Sequence, residues 1–121
     1  MKIDRTILDD VAEEAPRLVP AVASVMPFLD LFQDEGEIAY DDEDEVYYGV
    51  DCDLPLPDAN NSLPDMYWSA GIYEHRVVLL HLQKHGSVSR ILGRENLSLR
   101  EFWGILRQIS EGVGQPHESR R

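Results

Sequence analysis

Apolar residues recur every three or four positions over the first 33 residues, which is the spacing of one face of a helix. A first set is Ile3, Ile7, Leu8, Val11, Ala12 and Ala15, and a second is Leu18, Val22, Val25, Met26, Leu29 and Phe32. Pro16 and Pro20 lie where the first set ends and the second begins. Proline interrupts a helix because it lacks an amide N–H and clashes with the preceding turn. The pattern predicts a helical hairpin, with helices over about residues 3–15 and 17–33 and a bend at Pro27.

Alternation of apolar and polar residues replaces this spacing further along the chain. The residues that would share one face of an extended strand are Val46, Tyr48, Val50 and Cys52. Such alternation, bounded by turn-forming residues, is typical of a hairpin, and we expect its strands over Glu37–Tyr40 and about Glu45–Cys52. The turn between them is the acidic run Asp-Asp-Glu-Asp. The next segment, LPLPDANNSLPD, is rich in turn-forming residues and predicts a loop.

Residues 66–85 permit two interpretations. Their β-branched and aromatic residues favour a third strand over Met66–Ile72. From about Glu74 onward, the apolar residues also fit one face of a helix that would stop at Gly86. Periodicity alone does not separate a short buried strand from a short buried helix, so both remain open.

The C-terminal part has a more specific signal. Ser98 and Glu101 form an S-x-x-E capping box, and apolar residues follow at helical spacing, so we expect a helix over about Leu99–Ser110. Together the elements predict an α+β fold with an N-terminal helical hairpin, a small antiparallel sheet of about three strands, and a C-terminal helix or helices. We expect residues 1–114 to form a single globular domain and residues 115–121 to form a flexible tail.

Charge divides the chain into an acidic and a basic part. The 121 residues carry a net charge of −12. Residues 1–74 hold three cationic side chains against nineteen acidic ones, a net of −16, whereas residues 75–121 hold eight against four, a net of +4. This asymmetry suggests that one of the two surfaces has an electrostatic role in binding.

Several classes of protein are disfavoured by what the sequence lacks. It has no apolar run long enough to cross a bilayer, and acids stand where a signal peptide needs apolar residues, so we expect a cytoplasmic location and no membrane. Cys52 is the only cysteine, and we expect it to behave as a small buried hydrophobic residue. His81 and His85 are spaced for a metal on a helix but lack a third ligand, so we expect no metal and no cofactor. No catalytic motif is recognisable, and we expect no enzyme activity.

The acidic part interleaves carboxylates with tyrosines, a composition suited to a basic protein partner, because carboxylates attract it and tyrosines supply contact area. The expected contact residues are Tyr40, Asp41, Asp42, Glu43, Asp44, Glu45, Tyr47, Asp51 and Asp53. We therefore interpret the chain as a non-enzymatic protein-binding module. It would act as an inhibitor, an immunity protein or a nucleic-acid mimic, of the kind that phages and other mobile elements carry.

The basic part contains HGSVSRILGRENLSLREFWGILRQISEGVG, residues 85–114. This segment resembles the helix-turn-helix of LysR-type regulators. The resemblance implies a short helix over Val88–Glu95 and a recognition helix over Leu99–Ile109, and so an alternative function as a small DNA-binding transcriptional regulator. Residues that would meet base edges are Leu99, Arg100 and Trp103, and those that would meet phosphates are Arg90, Arg94 and Arg107. The opposite charges of the two parts also permit a homodimer paired head to tail.

Overall fold

A computed structural model describes residues 5–33, 36–54, 56 and 65–114. They form three α-helices, two 3₁₀ segments and one five-stranded sheet. The α-helices are α1 (Arg5–Glu14), α2 (Val19–Val25) and α3 (Leu99–Gly114). The strands are β1 (Glu37–Tyr40), β2 (Val46–Cys52), β3 (Met66–Ile72), β4 (Val77–His85) and β5 (Val88–Leu97). The α+β class is therefore confirmed, with two more strands than expected. The tail at 115–121 lies outside the described residues.

The N-terminal segment is helical but more interrupted than predicted. The first helix is confirmed, whereas the continuous helix expected over 17–33 is wrong. Its place is taken by a 3₁₀ segment over Pro16–Leu18, α2, and a second 3₁₀ segment over Met26–Leu31. Each of these pieces has a proline in its first two positions, where the missing N–H would lack a helical partner in any case. The three prolines thus start new turns rather than bending one helix.

The sheet is an antiparallel meander in which every strand pairs with its sequence neighbour. The three predicted strands are confirmed, and the helix considered from Glu74 is wrong because β4 occupies that segment. The short helix over Val88–Glu95 is also wrong, because these residues belong to β5. Gly86 ends no helix. It is the first residue of a two-residue hairpin loop, where its φ of +64° suits a type II′ turn.

One face of the sheet packs against all three helices to form the core. Alternate residues of β2 and β3 supply its central rows, and Val77 and Leu79 of β4 extend it. Cys52 is fully buried in this core, as expected, and its thiol donates a hydrogen bond to the Leu31 carbonyl at 3.1 Å. Burial raises the pKa of the Cys52 thiol, which favours its neutral form. The side chains of the helices and the sheet therefore enclose a single hydrophobic cluster.

The expected capping box fixes the start of α3. The Ser98 hydroxyl accepts a hydrogen bond from the Glu101 N–H at 3.0 Å, and Glu101 Oε1 accepts one from the Ser98 N–H at 2.8 Å. These bonds satisfy backbone donors that the first helical turn leaves unpaired. Phe102 and Leu106 then lie on the buried face of the helix. The cap thus fixes the first turn of α3, and the spacing of its apolar residues sets which face is buried.

Gly104 lies inside α3, where a Cβ would meet no described heavy atom within 4 Å. Gly104→Ala should therefore raise the free energy of unfolding by about 0.5–1 kcal/mol, because alanine loses less backbone entropy on helix formation. Urea denaturation followed by circular dichroism measures the change. A lower stability in the alanine variant would instead show that another group packs against the glycine.

Candidate functional site: a groove on the open face of the sheet

The second face of the sheet is not covered by the described helices, and it carries a concave groove of about 760 Å³. Small residues form the floor because the strand register brings them together. Gly49 of β2 stands opposite Gly71 of β3, and Asp51 stands opposite Ser69. Val78 and Leu80 continue the same rows onto β4 and give the groove an apolar side. The floor is thus low where β2 and β3 meet and higher towards β4.

Two stacked tyrosines form one wall of this groove. The Tyr47 ring lies on Gly71, where an added Cβ would come within 3.0 Å of the ring. Tyr47 also packs on Tyr73, with ring centroids 5.3 Å apart and planes 35° apart. The Arg76 guanidinium lies 4.0 Å from the centre of the Tyr73 ring, a cation–π geometry. The same guanidinium donates two hydrogen bonds to Glu45, each 3.0 Å long. The wall is therefore a layered stack held at its end by an ion pair.

Asp41 organises the acidic turn between β1 and β2. Its Oδ1 accepts hydrogen bonds from the N–H groups of Glu43 and Glu45, both at 2.9 Å. Its Oδ2 accepts one from the Tyr73 hydroxyl at 2.9 Å. The N–H of Glu45, with help from the Tyr73 hydroxyl, holds the pKa of the Asp41 carboxyl below its usual range. Asp44 takes the left-handed conformation at φ +64° that closes the turn.

These contacts separate the expected acidic contact residues into two groups. Asp41 and Glu45 are committed to hydrogen bonds and an ion pair within the chain. Asp42, Glu43 and Asp44 are exposed at the tip of the turn. The first pair thus shapes the groove, and the other three supply the field that an approaching charge meets.

The Tyr73 phenol is set apart by its surroundings. Burial, together with the hydrogen bond to Asp41, raises the pKa of Tyr73 to about 12. A tyrosine in an unfolded chain has a pKa near 10. Because the folded value is the higher one, the contribution of this phenol to stability is complete below about pH 10 and is lost as the pH rises through about 12.

Spectrophotometric titration of the tyrosines should therefore contain a component with a pKa of about 12. Tyr73→Phe should reduce the amplitude of this component by one tyrosine, because it removes the phenol that donates to Asp41, and Tyr40→Phe should leave the amplitude unchanged. The absorbance of tyrosinate near 295 nm gives the measurement. An unchanged amplitude of the high-pH component in Tyr73→Phe would show that Tyr73 does not titrate with the raised pKa.

Not all of the expected partner-binding residues lie in the groove. Asp41, Tyr47 and Asp51 line it. Tyr40 is 59% exposed, but it pairs with Val46, whose side chain packs against the core, so it lies on the helix-bearing side of the sheet. Asp53 is exposed just past the end of β2 and is not among the described lining residues.

Other lining residues were missed from the sequence, among them Glu37, Ser69, Gly71, Tyr73 and Arg94. Their common signal is position rather than residue type, since strand pairing alone brings them to one face. The glycines in the middle of two strands were the one available hint. Glycine inside a strand often marks a place where another group comes close.

The residues expected to meet DNA are dispersed over the molecule. Arg90 and Arg94 lie on β5, and Arg94 points into the groove on the open face. Arg100 and Trp103 of α3 line a separate cleft of about 540 Å³ beside Arg17 and His75, and Leu99 lines it too. Arg107 pairs with Glu111 at 3.0 Å. Because β5 is extended, these residues do not form the compact pair of helices that a helix-turn-helix requires.

The described residues show no group of three or more histidine, cysteine, aspartate or glutamate side chains placed to hold a metal ion. His81 and His85 lie on a strand, and Nε2 of His81 is 2.9 Å from Oε2 of Glu95. Most of the loop predicted over residues 54–65 lies outside the described residues. None of the described helices combines the length and the hydropathy needed to cross a bilayer.

Comparison of the chain with models of known protein families, with curated proteins and with solved structures finds no match.

Proposed function

We propose that the chain is a non-enzymatic protein-binding module whose groove takes a basic segment of a partner protein. The observation that carries this proposal is the charge of the lining. Glu37, Asp41 and Asp51 contribute carboxylates, whereas Arg94 is the only described lining residue with a positive charge. A groove lined mainly by carboxylates attracts cationic side chains, and the low-dielectric wall strengthens the attraction.

The tyrosine wall supports the proposal with a contact inside the chain. Arg76 already stacks on Tyr73 while its guanidinium is paired with the Glu45 carboxylate. A partner arginine laid on Tyr47 would find the same combination, with an aromatic face beneath it and the Asp51 carboxylate in the same groove. Arginine suits such a site because its planar group stacks and forms paired hydrogen bonds together. The glycine floor leaves room for the backbone of the partner segment.

The exposed acids of the turn extend the electrostatic attraction of this groove to longer distances. Asp42, Glu43 and Asp44 are not needed to hold a docked segment, but they raise the rate at which a basic surface finds the groove. An inhibitor or immunity protein for a basic effector, or a nucleic-acid mimic, uses an acidic surface in this way. The identity of the partner would follow from affinity capture in the native host.

Nuclear magnetic resonance titration of the ¹⁵N-labelled chain with a short peptide of alternating arginine and lysine tests the proposal. The largest shift changes are expected at the amides of Gly49, Asp51, Ser69 and Gly71. A peptide of equal length made of glutamate and serine serves as the control. Shift changes confined to the exposed turn, with none at the groove floor, would contradict docking in the groove.

A groove-filling variant sharpens this test. A Cβ at Gly49 would make only an ordinary contact, 3.5 Å from the Tyr47 ring. Gly49→Val should therefore fold, occupy the floor and weaken binding of the basic peptide. Gly104→Ala adds a side chain far from the groove and should bind as the parent chain does. Duplex DNA is the contrasting probe, and shifts on β5 and α3 in its presence would favour the regulator alternative instead.

A further inference from the structure

β5 is a long edge strand whose outer side pairs with no other strand in the described part of the chain. It spans ten residues and pairs only with β4 among the described strands. Val88 and Ile91 are 65% and 62% exposed, and Leu92 is also exposed. Proteins usually shorten or cover such edges because the unpaired N–H and C=O groups recruit another strand. The opposite edge follows that rule, since β1 has only four residues and carries Glu37.

The pairing with β4 shows which way each residue of β5 faces. Five residues of β5 face the helix-bearing side, because each pairs with a β4 residue on that side: Val88, Arg90, Gly93, Glu95 and Leu97. Four residues of β5 face the open side, because each pairs with a β4 residue on the open side: Ser89, Ile91, Arg94 and Asn96. A β-bulge accounts for the change of phase, because Leu92 is an extra residue opposite the step from His81 to Leu82.

This phase change makes β5 complementary to itself. When two copies of the strand run antiparallel over their full length, Val88 stands opposite Leu97 and Ser89 stands opposite Asn96. Arg90 then stands opposite Glu95, and Ile91 opposite Arg94. Every one of these four pairs joins residues of the same face, as a continuous sheet requires. If the side chains of these ten residues alternated regularly, without the bulge, each pair would join opposite faces.

The charges of the edge agree with the same register. Each interface would contain two Arg90–Glu95 pairs, and opposite charges across neighbouring strands stabilise a sheet. Glu95 uses Oε2 for His81, so Oε1 can accept from the partner guanidinium. The described contact of Arg90 is a 3.5 Å hydrogen bond to Gln83, which is at the weak limit. β5 also lies in the basic part of the chain, at the opposite edge from the acidic turn. Pairing two copies through β5 therefore does not bring their acidic turns together.

We propose that the partner of this edge is a second copy of the same chain, paired antiparallel through β5. Two five-stranded sheets then join into one continuous sheet about a two-fold axis normal to it. The interaction is isologous, because the same residues are used by both copies. Such an axis keeps both open faces on one side of the assembly. Among the described residues, the interface shares only Arg94 with the groove lining, and Arg90 and Glu95 lie on the opposite face of the sheet. The dimer and the proposed peptide binding are therefore tested by different residues, and the failure of one does not decide the other.

Sedimentation equilibrium with charge exchanges tests the register. Arg90→Glu alone and Glu95→Arg alone each place like charges opposite each other twice, and each should weaken the dimer at least about tenfold. The double variant restores both pairs in reverse and should dimerise nearly as well as the parent. An equimolar mixture of the two single variants should form a heterodimer, because each of its Arg–Glu pairs is again complementary.

The double variant and the mixture keep the test decisive, because they contain the same substitutions as the weakened single variants. Circular dichroism confirms that each variant folds. The parent chain should be examined from low micromolar to about millimolar concentration, since interfaces at the small end of the size range bind weakly. A parent that stays monomeric throughout overturns the proposal. A dimer that ignores both single exchanges overturns it as well.

Disulfide formation between two single-cysteine additions gives an independent measurement. Ser89→Cys and Asn96→Cys stand opposite each other in the proposed dimer, at the Cα separation of a strand pair, which suits a disulfide. Mixing the two variants under mild oxidation should produce a cross-linked dimer. Each variant alone should not, because two copies of residue 89 would lie about 23 Å apart along the strands. Equal cross-linking in all three samples would contradict the register.

Discussion

Phe102→Ala should lower the free energy of unfolding by about 3–5 kcal/mol, the usual cost of removing a fully buried aromatic ring. Phe102 is 0% exposed and packs against Trp68 in a T-shaped arrangement, with ring centroids 6.0 Å apart. Trp68 in turn meets Phe32 at 6.3 Å, so the three rings join α3, the sheet and the end of the N-terminal segment. Alanine would leave a cavity at the α3 end of this row, and the loss is a large share of the stability of a small domain.

Urea denaturation followed by circular dichroism measures that loss. Trp103→Ala is the matched control at the next position on α3. Trp103 is a larger residue but is 38% exposed, and its described ring contact is with Phe28 at 5.4 Å. We expect it to cost clearly less than Phe102→Ala. A loss below about 1 kcal/mol for Phe102→Ala would be typical of a surface position and would contradict the packing of α3 on β3.

Glu37→Lys combined with Asp51→Lys should raise the dissociation constant of an arginine-lysine peptide at least about tenfold. Each reversal replaces an attraction of up to about 1 kcal/mol by a repulsion, and about 1.4 kcal/mol corresponds to a factor of ten. Both residues line the groove at positions set by the register of β1, β2 and β3. Isothermal titration calorimetry at two salt concentrations measures the effect, and the salt dependence should become weaker in the variant.

Asp9→Lys combined with Glu13→Lys is the matched control. Both residues are exposed on α1, and both double variants change the net charge from −12 to −8 because each substitution adds two charges. If binding depended only on overall charge, the two variants would weaken it equally. A selective loss in the groove variant supports a local site, and equal losses would rule out the groove as the binding surface.

Local signals predicted those parts of the fold that local interactions determine. The capping box located the start of α3 because Ser98 and Glu101 bond to each other within one turn. The alternation of Val46, Tyr48, Val50 and Cys52 predicted β2 because one side of that strand packs on the helices. Both patterns reflect contacts that a short segment makes with itself or with a simple apolar surface.

β4 and β5 were harder because their patterns are ambiguous for different reasons. β4 has buried residues on both faces near its start, with Val77, Val78 and Leu79 all inside, so it shows no alternation. β5 is exposed along nearly its whole length, and the bulge at Leu92 shifts its phase in the middle. The turn residues Gly86 and Ser87 fit a hairpin as well as a helix end. Only pairing between strands resolves the choice, and that pairing is not a local property.

The candidate site was likewise predicted only where its signal is local in the sequence. Its acidic turn was predicted because five consecutive acids are visible in the sequence, and Asp51 and Tyr47 lie nearby along the chain. Tyr73, Arg76 and Arg94 could not be placed, since their positions depend on the register of β3 with β2 and β4. Asp41 was expected to meet a partner, yet both its oxygens serve the turn and Tyr73. The composition of the surface was thus easier to predict than its arrangement.

The packing of the Tyr47 ring on Gly71 gives a way to recognise related chains. A Cβ at position 71 would lie 3.0 Å from the ring, which would have to shift by a few tenths of an ångström, so an aromatic residue at 47 favours glycine at position 71. Positions 47 and 71 should therefore vary together among homologues, with a bulky residue at one accompanied by glycine at the other. This linked substitution is a signature that spans two strands and does not depend on charge. It would identify relatives that preserve the groove even where the acidic turn has diverged.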